Sequence, residues 1–197
     1  MCAEVVKLNC PGCGARVSID QRTCEYCQQP VTITTFGQTK GMSPLQLNKY
    51  ASSYRKSLAE NPDSIEINTS IAMCYLQLKL FDKALPHFEK ALEENFENSE
   101  PYFFAAMCLL GGKKPFLTPR PVIDKMIEYL NAAIMIENRG IYHYFMAYVK
   151  YDYFHRKFYN TTPNYTQELA TARQLGYSQA DVMEMFGLFG LEKPACL

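Results

Sequence analysis

Two Cys-x-x-Cys pairs, Cys10-Pro-Gly-Cys13 and Cys24-Glu-Tyr-Cys27, stand ten residues apart near the amino terminus, and no other feature restricts the chain so tightly. Two residues between thiolates let the backbone turn so that both sulfurs face one ion. Two such knuckles face to face supply the four tetrahedral sulfurs of a closed zinc site. Gly14, directly after the second sulfur, suits the tight backbone of the first knuckle. Five of the eight cysteines fall in the first 27 residues, at 2, 10, 13, 24 and 27, whereas Cys74, Cys108 and Cys196 are scattered. Scattered thiols in a reducing compartment behave as small core hydrophobes. The spacing therefore assigns Cys10, Cys13, Cys24 and Cys27 to one structural Zn2+ per chain. Two disulfides or four idle thiols are the alternatives.

The flanks of the knuckles read as short strands. Ala15 to Ile19 alternates with Val17 and Ile19 on one side, and Val31 to Phe36, VTITTF, is a β-branched run. Through CPGCG and CEYC, residues 5 to 37 resemble a rubredoxin-type zinc ribbon, with Gln28 where the second knuckle commonly has glycine. The resemblance leaves iron as a rival ion, and a colourless protein would decide for zinc. A module of this length buries too little surface to fold alone, so the metal is expected to supply its folding free energy.

The whole chain of 197 residues has room for one full domain and such a module. Its 20 Lys and Arg balance 20 Asp and Glu, and residues 1 to 40 set Lys7, Arg16, Arg22 and Lys40 against Glu4, Asp20 and Glu25. Neither balance is the basic excess with which proteins neutralise phosphates, so nucleic acid is an unfavoured partner. The start, MCAEVVKLNC, lacks the features of a signal peptide and no long apolar run occurs, which places the expected location in the cytoplasm, with no membrane partner.

After the punctuation GQTKGMSP at 37 to 44, the periodicity turns helical, dividing the chain into an expected ribbon at 1–38 and a helical domain at 39–197. In residues 65 to 98 the pattern Ile71, Ala72, Tyr75, Leu78, Phe81, Ala84, Phe88, Ala91 resembles a tetratricopeptide repeat (TPR), with Asn68 where tryptophan is common. A shift of 34 residues finds neighbours. Tyr50, Tyr54 and Ser57 form a half-repeat before it. Tyr102, Ala105, Ala106 and Leu109 open a third unit, whose second helix with Met126, Leu130 and Ala133 is delayed by GGKKPFLTPRPV. Tyr144, Ala147, Tyr148 and Tyr151 open a fourth, with Glu168 to Leu175 as its looser partner. Ser178 and Asp181 resemble a capping box ahead of a terminal helix, VMEMFGLF. The implied fold class is mainly α: a TPR-like α-α superhelix with a small amino-terminal β ribbon and a capping helix at the other end.

In the TPR family, partners lie on the concave face lined by the first helix of each pair. The corresponding positions here are Glu66, Thr69, Met73 and Gln77; Glu100, Phe103, Met107 and Leu110; and Tyr142, Phe145, Val149 and Asp152. They lack the Lys, Arg and Asn with which chaperone-binding members hold a terminal carboxylate. The resemblance therefore implies an apolar or helical peptide as partner, at Met73, Phe103, Met107, Tyr142, Phe145 and Val149. The alternative is self-occupancy. Val182, Met185, Phe186 and Phe189 form an i, i+3, i+4, i+7 stripe that could fill the same face.

Charge is distributed unevenly. Residues 60 to 100 carry nine acidic against three basic side chains, and residues 101 to 157 carry eight basic against four acidic, a polarity that could steer a partner or a second copy in a homo-oligomer. Lys113 and Lys114, among prolines in the insertion, are the candidate exposed contact. The aromatic run Tyr142 to Tyr153 matches the inward stripe of the repeat better than a base-stacking surface. Gly111-Gly112-Lys113-Lys114 lacks phosphate-loop spacing, and His87, His143 and His155 stand isolated in sequence. The expected function is a non-enzymatic adapter or scaffold for protein or peptide partners. A nucleic-acid-associated regulator using the ribbon is the alternative.

Overall fold

The computed structural model of the chain describes residues 7–39, 41–93 and 96–197. Cys2, Glu4, residues 5 and 6 of the ribbon segment, Lys40 and Glu94 lie outside the described residues. The chain divides into two compact units, Met1–Asn95 and Phe96–Leu197.

The first unit opens with the ribbon. Strand β1 (Lys7–Asn9) pairs antiparallel with β2 (Arg16–Ser18), setting Leu8 opposite Val17. Both side chains are buried with Cys10, Cys24 and Val31 in a small core of their own. The run Val31 to Phe36 is not a strand, contrary to its composition; only an isolated bridge joins Thr23 to Pro30. The reason lies in its hydrogen bonds. The carbonyl of Val31 accepts from the Tyr54 hydroxyl (3.0 Å), and the N–H of Ile33 donates to the Ser70 hydroxyl (2.8 Å). The N–H groups of Thr34 and Thr35 both donate to Oε1 of Gln38. Side chains thus take the backbone groups that a β-ladder would have used, while Val31 and Ile33 are fully buried.

Three helices complete this unit. Helix α1 (Pro44–Glu60) starts at a full capping box between Ser43 and Gln46 and buries Leu47, Tyr50, Ala51, Tyr54 and Ser57 along one stripe. Its neighbour α2 (Ile65–Gln77) is capped by Ser64 and packs in turn against α3 (Phe81–Leu92). Ala72, Ala84 and Ala91 are fully buried, as the repeat pattern requires of small residues where helices approach, and so is the large Phe88 ring. Asn68, at the usual tryptophan position, is a satisfied buried amide. Its Nδ2 donates to the carbonyls of Pro62 and Ser64, and its Oδ1 accepts from Nδ1 of His87. Burial, and secondarily Arg55, pushes the His87 imidazole below its ordinary range.

The second unit holds α4 (Glu100–Leu110) against α5 (Arg120–Ile136), and α6 (Gly140–Val149) against α7 (Tyr165–Leu175), followed by α8 (Gln179–Phe189). Between α4 and α5 the insertion forms a short 3-10 turn, Pro115–Leu117. Helix α6 continues as a π-helical turn, Lys150–Phe154, and a 3-10 turn, His155–Lys157. At Gly140 the α6 and α7 backbones come so close that a Cβ would overlap the carbonyl oxygen of Gly176. The reciprocal capping box of this unit forms at Asn164 and Gln167. Ser178 caps α8 by accepting from the N–H of Ala180, so the predicted pairing with Asp181 is not made.

Candidate metal centre and the predicted groove

Each knuckle is a short loop closed by two backbone hydrogen bonds. In the first, the N–H of Cys10 donates to the carbonyl of Ala15 and that of Gly14 to the carbonyl of Cys10, both at 2.8 Å. In the second, Cys24 donates to Gln29 (2.9 Å) and Gln28 to Cys24 (2.8 Å). The residue after the second cysteine of each pair is left-handed: Gly14 at φ 84° and Gln28 at φ 58°. Glycine adopts that conformation freely and glutamine does not. The departure noted in the sequence is therefore a strained residue in unchanged loop geometry, steadied by a hydrogen bond from Nε2 of Gln28 to the Glu25 carbonyl (3.2 Å).

The two loops bring all four sulfurs within 4.8 Å of one another. Cys10 and Cys27 are 3.6 Å apart and Cys13 and Cys24 3.7 Å, well beyond a disulfide bond. Thiolates around a tetrahedral ion with metal–sulfur bonds of about 2.3 Å stand roughly 3.8 Å apart, so the four sulfurs fit one ion with no position left for water. Burial pushes the Cys10 thiol up to about 12. At Cys24 burial acts the same way, but the N–H groups of Cys27 and Tyr26 and the neighbouring thiols outweigh it and bring the group down to about 7. Without a cation the cluster holds protons on part of its sulfurs; an ion replaces them.

The centre is seated on α1. Nζ of Lys49 donates to the carbonyl of Gly12 (2.5 Å), the Ser53 hydroxyl to that of Asn9 (3.2 Å), and the Tyr50 hydroxyl to Oε1 of Gln29 (3.5 Å). A cleft of about 480 Å3 between knuckle and helix is lined by Cys10, Cys13, Lys49 and Lys56 among others. Four thiolates leave a net negative charge around a divalent ion, and these lysines lie on the side where it is felt.

The residues assigned to the groove have a different environment. Met73, Phe103, Met107, Tyr142, Phe145 and Val149 are all buried. In the second unit Phe103 packs on Tyr142 (ring centroids 4.8 Å apart) and on Phe145 (5.8 Å). The hydroxyl of Tyr142 is shared with Ser99 (2.8 Å) and Arg139 (3.2 Å), and Arg139 pairs with Glu100. Helix α8 places Phe189 on Phe145 (5.6 Å) and Phe186 on Tyr148 (5.0 Å), and Val182, Met185, Phe186, Leu188 and Phe189 are all buried. Tyr144 and Tyr148 lie in the core as the inward stripe predicts. Lys113 and Lys114 are exposed.

One polar cluster had no signal in the sequence beyond three residues of suitable type. Lys150, on the π-helical turn, donates to Oε1 of Glu168 (2.6 Å) and to the carbonyl of Pro163 (2.8 Å). Glu168 also meets Nδ1 of His143 (2.7 Å), whose Nε2 meets Oδ1 of Asn138 (2.8 Å). Lys150 and Glu168 are both buried, beside a cleft of about 530 Å3. Both carboxylate oxygens and both ring nitrogens are taken, so the cluster ties α6 to α7 rather than presenting a free acid or base.

No protein-family model and no curated protein matches the chain. Among solved structures it is similar to "MamA MSR-1 C2", with a TM-score of 0.51 and 20% identity over 66% of this chain and 67% of that one. It is likewise similar to "MamA AMB-1 C2221" (TM-score 0.51, 20% identity, 64% and 66%) and to "MamA AMB-1 P212121" (TM-score 0.51, 20% identity, 69% and 68%). The chain thus spans about two thirds of the length of the structures it matches. At this identity the likeness concerns the fold, which is mainly α and TPR-like, with a two-stranded ribbon at its start.

Proposed function

We propose that the protein is a non-enzymatic interaction scaffold whose ribbon is held by one structural zinc ion. The observation that carries this reading is the combination in the first unit of a four-sulfur centre with α1, which is tied to the ribbon segment through Lys49, Ser53 and Tyr54 and carries α2 and α3 behind it. A closed tetrahedral thiolate site has no open coordination position for chemistry, which supports a structural metal, and zinc is the ion that suits such a donor set without redox change. Stacked helix pairs present extended surfaces, which supports protein or peptide partners, a second copy of the chain among them. The concave residues Met73, Phe103, Met107, Tyr142, Phe145 and Val149 would receive a peptide only if it displaced side chains now covering them; Lys113 and Lys114 need no such displacement. No helix among the described residues is long and apolar enough to cross a membrane, and the cytoplasm remains the proposed location.

Metal analysis of the purified chain should find about one zinc per chain and no colour; iron, or a folded ribbon without metal, would overturn the centre. Affinity capture from a native extract tests the scaffold reading. A shift assay on duplex DNA and on RNA at low salt tests the nucleic-acid reading, which fails if no complex forms where electrostatic binding is strongest.

A further inference from the structure

The insertion after α4 and the turns after α6 make one surface in the second unit. The N–H of Phe116 donates to Oδ2 of Asp152 (2.8 Å). The Phe116 ring lies under the Arg156 guanidinium (4.6 Å to the centroid) and the Lys157 ammonium (4.9 Å). Arg120 lies over Phe154 (5.0 Å), and the Thr118 hydroxyl donates to the carbonyl of Lys114 (3.2 Å). A loop pinned in this way loses little freedom when a partner arrives.

Its outer side combines charge and apolar surface. Arg120 and Arg156 are neutralised by Asp124 and Asp152. Lys113, Lys114 and Lys157 make no ion pair with any described carboxylate, and Lys157 rests on the Tyr153 ring (3.7 Å). Next in the chain to Phe116 and Lys157, which touch each other, Leu117 is 71% exposed, Phe158 94% and Tyr159 55%. Phe158 is also left-handed, at φ 61°, closing the last turn with the N–H of Tyr159 on the carbonyl of Phe154 (2.9 Å). Glycine or asparagine would hold that turn without strain. A large ring on strained backbone, displayed to solvent next to Lys157, is unexplained by the folded core.

We propose that the face formed by Lys113, Lys114, Leu117, Lys157, Phe158 and Tyr159 docks an acidic peptide segment carrying an aromatic or aliphatic side chain. This rests on the scaffold reading and names the chemistry of its partner. Unpaired lysines call for carboxylates, and the exposed rings call for an apolar residue between them. The two arginines, which would serve best as phosphate forks, are occupied by aspartates, so a peptide suits the face better than a nucleic acid.

The test uses the full chain and three labelled probes in fluorescence anisotropy at low salt: a random Glu-Tyr copolymer, polyglutamate and a single-stranded oligothymidylate. The copolymer should bind at least about tenfold more tightly than either of the others. The double variant Lys113→Glu, Lys114→Glu should weaken it about tenfold. Phe158→Asn relieves the left-handed turn, so it should keep or raise the melting temperature while weakening the copolymer about fivefold or more. No copolymer binding by the unaltered chain, unchanged affinity in both variants, or tighter binding of oligothymidylate would each overturn the proposal. Undiminished capture of native partners by both variants would also overturn it while leaving the scaffold reading intact.

Discussion

Single residues carry two costs that the fold tolerates. Tyr144 is fully buried against Tyr177, its hydroxyl has no hydrogen-bond partner among the described residues, and burial pushes that hydroxyl up to about 12. Removing an unsatisfied buried donor is favourable when the ring that fills the space stays. Tyr144→Phe should therefore stabilise the protein by about 1 kcal/mol, read as a higher midpoint in urea; a loss of stability would show that the hydroxyl has a partner in solution. The second cost is Gln28 at φ 58° in the second knuckle. Gln28→Gly should add about 0.5–1 kcal/mol to the stability of the metal-loaded chain, because relief of the left-handed strain exceeds the entropy that glycine loses. Both residues were visible in the sequence, Tyr144 as an inward aromatic and Gln28 as a missing glycine. Neither could be weighed there, because hydrogen-bond satisfaction and the sign of φ depend on neighbours distant in sequence or on the closed loop.

At the scale of elements, α8 is the test of how the apolar face of the second unit is filled. Its buried side chains include Val182, Met185, Phe186 and Phe189, with rings on Phe145 and Tyr148. Each large apolar side chain removed from such a site costs about 2 kcal/mol or more. Four of them approach the whole stability of an ordinary domain. Deleting residues 178 to 197 should lower the melting temperature by more than about 10 °C or abolish cooperative unfolding. A melting temperature that hardly changes would mean that the face is open to a peptide. The helices themselves were legible from period and punctuation: the half-repeat, the delayed α5 and the looser α7 all occur. The strand expected at Val31 to Phe36 does not, since β-branched composition favours an extended backbone without specifying what satisfies it. Here Tyr54, Ser70 and Gln38 supply the partners.

For the whole molecule, the four-sulfur centre links the smallest module to the first helix of the stack. Binding of a structural zinc contributes roughly 10–16 kcal/mol in small zinc modules, far more than the ribbon core of Leu8, Val17 and Val31 can supply. Removing the metal with a chelator, or changing Cys24→Ser, should lower the melting temperature and expose Tyr54, followed by circular dichroism and tyrosine fluorescence; an unchanged melt would separate the ribbon's folding from its metal. The sequence by itself determined the four-cysteine cluster and the helical periodicity, because both are local: a Cys-x-x-Cys turn and a helix face close within a few residues. It also showed the uneven charge between residues 60–100 and 101–157. Only the tertiary structure decided that Phe103, Phe145 and Tyr142 are covered, that His143 joins Lys150 and Glu168, and that Lys157 rests on Phe116 of the insertion. Those outcomes depend on which side chains meet across helices, where packing and hydrogen-bond satisfaction act between residues that no sequence period connects.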